Sequence, residues 1–265
     1  LFTGDLDHDD DGDGAPDRFH RGLHNLTGAL RTARARFPAP GRVLLVGSSA
    51  GGYGTILATM LVRATWPEAS IQVFSDSGLG LAQPGDPTFL NGILDQFDIG
   101  RFVPESCADC VTGGHMTPMV AWTLERDDNI RVAVFSSYYD TIIGAIFLGL
   151  EPTVFRDTVL AETGAVHERF PDRYKRFLAD GRTHTSILGN PVGIVGSDLT
   201  AVEMSYSLLD LLDILDIGGL ERTTIGDVTM SAWLKAFVND SPAWVDRLAE
   251  PGPPPEQYMK ALSIR

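Results

Sequence analysis

Apolar residues recur at steps of three and four through Phe19, Leu23, Leu26, Leu30 and Ala33. That spacing predicts a helix over 18–36, ended by Pro38 and Pro40. Residues 43–46 form a continuous apolar run, the pattern of a strand buried on both faces. A Gly/Ser turn over 47–54 follows, then a helical pattern over 52–64. Further apolar strands are predicted at 71–74 and 130–135, with helices at 88–97, 116–126 and 230–238. Residues 153–180 read as largely helical. Residues 200–217 read as a long amphipathic helix with Asp210, Asp213 and Asp216 along one polar edge.

Short apolar strands alternating with helices predict an α/β fold, a mostly parallel sheet with helices on both faces. The 265 residues show no internal repeat and no shift of composition that marks a boundary, so a single domain over 1–265 is expected. Two stretches, 79–115 and 195–225, are candidates for insertions or a lid. The longest apolar run, 142–150, is too short to span a bilayer, which takes about 20 residues. The formal net charge is −14, half of it from seven Asp over 5–17. With no basic patch visible, a nucleic-acid partner is disfavoured.

The segment Val43-Leu-Leu-Val-Gly47-Ser48-Ser49-Ala50-Gly51-Gly52 holds G-x-S-x-G between a predicted strand and a predicted helix. In that context the motif predicts a nucleophile elbow, a sharp turn that stands Ser49 clear at the carboxyl edge of the sheet. The helix start beneath it favours developing negative charge, and the Ala50 amide is the expected oxyanion donor. A serine nucleophile needs a base, and the base an orienting acid, in the chain order Ser, Asp or Glu, His. Three histidines follow Ser49. His115 precedes the expected acid, Asp140, so its order is wrong. His167 lies in a charged helical run and reads as a surface residue. His184 stands in a late loop and is the expected base. Asp140, just beyond the strand at 130–135, is the expected acid. Ser48, Tyr53, Tyr138 and Tyr139 are candidate substrate contacts, with the core as the alternative for the tyrosines. Asp76 is expected to hold the turn after its strand.

The elbow G-S-S-A-G-G, then Ser75-Asp76-Ser77-Gly78, then residues 136–140 and His184-Thr185, together resemble the pectin acetylesterase family. That family includes plant pectin acetylesterases and an animal deacylase, Notum. Thr3-Gly4-Asp5, Phe19-His-Arg-Gly22 and the Trp233 and Trp244 region resemble it more loosely. The resemblance implies an α/β-hydrolase fold, a triad of Ser49, Asp140 and His184, and cofactor-free ester hydrolysis. It points to O-acetyl groups on a polysaccharide, with polyester or lipid acyl esters as the alternative. Family members carry an upstream Gly-rich, Trp-containing segment that completes the oxyanion hole. Ser49 stands so early that this segment and the N-terminal strands are expected to be missing. A chain beginning at Leu1 reads as a processed or truncated product.

Residues 9–17 fit the D-x-D-x-D-G pattern of calcium loops, with His20 where the bidentate Glu would stand. Asp7, Asp9, Asp11, Asp13 and Asp17 are candidate ligands of a structural calcium, and Asp5 or Asp7 could supply the lacking carboxylate. A solvated acidic surface is the alternative, and a non-catalytic calcium-loaded module on a hydrolase scaffold is the rival function. Cys107 and Cys110 suit a redox motif, half a zinc site or a short-loop disulfide. Zinc would want a second ligand pair where only His115 is near. A disulfide is expected, and with it a secreted or periplasmic protein.

Overall fold

The computed structural model describes residues 4–107, 109–187 and 219–255. Its centre is a five-stranded, wholly parallel sheet. Two short strands, β1 (Asp5–His8) and β2 (Arg18–Arg21), first form an antiparallel hairpin around the acidic loop. Helix α1 (Gly22–Arg36) leads into β3 (Arg42–Ser48), α2 (Ala50–Thr65) and β4 (Ser70–Asp76). Next come α3 (Pro87–Gln96), α4 (Thr117–Arg126), β5 (Ile130–Ser137), a π-helical turn (Thr141–Phe147), α5 (Pro152–Arg169) and β6 (Tyr174–Ala179). A small hairpin of β7 (Thr224–Ile225) and β8 (Val228–Thr229) precedes α6 (Met230–Val238) and β9 (Arg247–Leu248). The sheet order is β3-β4-β5-β6-β9.

Strand alternation sends two sets of side chains to two helical layers. Ile71, Val73, Val132, Val134 and Leu178 pack with α2, α4 and α5. Phe74, Ala133, Phe135 and Phe177 face the other way, onto Trp233 and Phe237 of α6 and Trp244 beyond it. Both layers bury large side chains completely, each contributing about 1.5–3 kcal/mol of transfer free energy.

Three expectations change. The run at 43–46 is not buried on both faces. Strand β3 is the edge of the described sheet, α6 covers the strands beside it, and Leu44 and Val46 remain 46 % and 45 % exposed. The stretch 153–180 is not one helical region. It ends in β6, whose Lys175-Arg176 pair hides the strand pattern, and buried Arg176 is neutralised by Asp246 at 2.6 Å. Residues 18–21 belong to the hairpin rather than to α1. The predicted helix at 200–217, with Asp210, Asp213 and Asp216, lies outside the described residues, as does most of 195–225. Within 79–115, α3 and one 3-10 turn are the helical parts.

Candidate active site

Ser49 sits between β3 and α2 with φ 56°, a conformation that costs an ordinary residue about 1–3 kcal/mol. Its surroundings enforce the turn. The Ser49 amide donates to the Asp76 carbonyl at 2.7 Å, and Gly52 N–H donates back to the Ser49 carbonyl at 2.8 Å. The glycines follow from contact rather than flexibility. A Cβ on Gly47 would collide with the Gly51 carbonyl, and one on Gly52 with the backbone of Gly78. The elbow is therefore wedged directly against the Ser75–Gly78 turn.

Three residues distant in sequence meet there. His184 Nε2 lies 2.8 Å from Ser49 Oγ, and its Nδ1 lies 2.9 Å from Asp140 Oδ2. Asp140 is fully buried and His184 is 6 % exposed. Asp140 Oδ1 also accepts from the amides of Ile142 and Ile143, capping the π-helical turn while it faces the imidazole. Burial pushes its carboxyl up, and the charge and hydrogen bond of His184 and the two amides pull against it. The arrangement has the donor and acceptor order of a nucleophile, a base and an orienting acid.

Beside Ser49 opens a pocket holding ≈ 880 Å³ of atom-free space, its mouth included. Among the described residues, Ser49 and Tyr53 are the lining residues whose side chains carry N or O atoms. The Tyr53 hydroxyl is committed to the Leu81 carbonyl at 2.7 Å. The rest of the described wall is apolar, from Leu57 of α2, Leu90 and Leu94 of α3, Met116, and Ile143 and Phe147 of the π-helical turn. Phe147 meets Tyr53 and Phe89 edge-on, at ring-centroid distances of 5.8 and 5.7 Å. These lining positions come from separate segments, so no local motif announces them.

Other candidates stand elsewhere. Ser48 turns away from the pocket and donates to Asp76 Oδ2 at 2.7 Å. Tyr138 and Tyr139 are core residues, their rings buried and their hydroxyls bonded to the carbonyls of Ala249 and Gly252. These three are not pocket contacts. His115 is buried and accepts from the Ala82 amide. His167, half-buried on α5, lies 2.8 Å from the Tyr174 carbonyl. Cys107 and Cys110 form the short-loop disulfide, and in that bonded form neither sulfur is a thiolate for zinc.

In the acidic loop, carboxylate oxygens of Asp9, Asp11 and Asp17 all lie within 4.8 Å of one another, close enough to share one hard cation. Asp7 is not among them; it pairs with Arg21. Asp13 instead accepts from the Ala15 amide at 2.8 Å.

A serine, an imidazole and a buried carboxylate in series, on a parallel α/β sheet and beside an apolar pocket, form the arrangement used for covalent acyl transfer. Comparison with family models and with curated proteins gave no match.

Proposed function

We propose that this chain is a serine carboxylic ester hydrolase of the α/β-hydrolase type, acting on esters with an aliphatic acyl chain. The observation that carries the reading is the hydrogen-bonded series Ser49–His184–Asp140 at the wall of the apolar pocket. Ser49 Oγ attacks the ester carbonyl while His184 Nε2 takes its proton. Asp140 keeps the Nδ1 proton in place and stabilises the imidazolium. The tetrahedral oxyanion is held by the Ala50 amide at the start of α2. His184 returns the proton to the departing alcohol, leaving the acyl group on Ser49. Water, deprotonated by His184, then releases the acid. No cofactor enters these steps. The calcium expected of the acidic loop stands outside them, with Asp9, Asp11 and Asp17 as its carboxylates.

The acyl group is where this reading departs from an O-acetyl substrate. An acetyl group would occupy little of the pocket, whereas each further methylene buried there contributes about 0.8 kcal/mol. A lipid or polyester acyl chain fits that wall. The Cys107–Cys110 disulfide supports an oxidising, secreted or periplasmic setting. No helix among the described residues is long and apolar enough to cross a membrane.

A series of p-nitrophenyl esters from acetate to dodecanoate tests the reading. The expected kcat/KM at octanoate exceeds that at acetate by about 10-fold or more. A maximum at acetate would return the substrate to O-acetyl groups. No turnover of any ester would favour the binding-module alternative.

A further inference from the structure

Asp76 ends β4 and is fully buried. Its two oxygens accept four hydrogen bonds. Oδ1 takes the amide and hydroxyl of Ser186 at 2.8 and 2.9 Å. Oδ2 takes the Ser48 hydroxyl at 2.7 Å and the Ile187 amide at 3.1 Å. Burial pushes this carboxyl up, and the same donors pull it down. Asp76 has no hydrogen bond to the Ser49 hydroxyl or to the His184 ring, yet it holds the chain on either side of their contact. Ser48 is the residue before the proposed nucleophile. Ser186 and Ile187 stand two and three residues after the proposed base. The Asp76 carbonyl receives the Ser49 amide, and the Ser77 hydroxyl donates to the His184 carbonyl.

We infer that Asp76 is a positioning residue that buckles the nucleophile strand to the base loop and so fixes the Ser49–His184 contact. The inference rests on the esterase reading and adds a residue to it. The carboxylate is specific to this task. Both oxygens must accept, and two of the four donors are backbone amides that cannot turn round. An asparagine presents one oxygen and one NH₂. The serine hydroxyls can rotate to accept from that NH₂, but an amide of Ser186 or Ile187 is left facing it. One side of the buckle opens. An error of about 1 Å in the placement of reacting groups costs on the order of 100-fold in rate.

The test compares rates of covalent labelling by a fluorophosphonate in wild type and D76N, both assayed well below their melting temperatures. Labelling of D76N is expected to be about 100-fold slower, with kcat for an ester substrate falling and KM unchanged. Wild-type labelling that D76N matches would overturn the positioning role alone and leave Asp76 as a fold-stabilising group. A wild type that does not label would overturn the nucleophile assignment and this inference with it. If D76N does not fold, Ser48→Ala combined with Ser186→Ala removes the two hydroxyl donors and takes its place. Slower labelling there, restored by Ser48→Thr with Ser186 kept, supports the buckle; an unchanged rate rejects it.

Discussion

Aspartates do opposite work in two regions of this protein. In the acidic loop they are exposed and bond within their own neighbourhood. Asp9 accepts from Gly12 and Gly14, and Asp11 from Asp13. Such bonds shape a turn in water and would form in a short peptide. Asp76 and Asp140 are fully buried and accept from partners up to 111 residues away. Burial pushes both carboxyls up, so each is held only because its donors are already in place. The buried pair cannot lose an acceptor without leaving a donor unsatisfied beside the proposed reacting atoms. Placement by distant chain, rather than acidity, separates the candidate chemistry from the surface.

The sharpest break of that contrast is at Ser49. Ser49→Ala is expected to lower kcat by about 10⁴-fold or more, since the residual rate would come from binding and oxyanion contacts alone. Its melting temperature should stay within about 2 °C of wild type, because Ala keeps the backbone and removes one hydroxyl; turnover that survives would place the nucleophile elsewhere. Asp140→Asn should cost about 10⁴-fold, through the wrong imidazole tautomer, with the protein still folded. Equal activity across pH 5–9 in that variant would remove Asp140 from the mechanism. At the pocket, Leu94→Trp should shorten the preferred acyl chain, cutting the octanoate-to-acetate ratio by about 10–100-fold with acetate turnover retained. An unchanged ratio would show that the acyl group lies elsewhere. The smallest effect is expected in the loop. Calcium should raise the melting temperature by a few degrees and EDTA reverse it, through the carboxylates of Asp9, Asp11 and Asp17. No shift would leave those residues as turn formers. Because the hairpin bonds to the end of α3 through Asp5–Phe97 and His8–Gln96, a calcium effect on acyl preference would link the two regions.

The sequence made much of the sheet legible because most of its strands are apolar runs between turn residues. β4 and β5 lie where the periodicity places them. β6 was hidden because its charged pair looks helical or exposed, and the Asp246 that neutralises Arg176 is 70 residues away. The half-exposure of β3 has no sequence signature, because its burial depends on what covers the second face, a property of the assembled layers. The three candidate site residues were legible from an elbow pattern and a chain order. Ser48 faces away from the pocket because neighbours along a strand point to opposite faces. Tyr138 and Tyr139 lie beyond β5 and are drawn together into the core, where the carbonyls of Ala249 and Gly252 accept their hydroxyls, partners that no local pattern shows. The pocket had no signature at all, since its leucines and isoleucines read as ordinary core until the fold gathers them round one serine.

The central claim is that Ser49 is activated by His184 and Asp140. Fluorophosphonate labelling followed by peptide mass spectrometry tests it most directly. The account predicts a single adduct on the peptide carrying Ser49, absent from Ser49→Ala and strongly reduced in Asp140→Asn. No adduct on a folded sample, or an adduct on another residue, would contradict it.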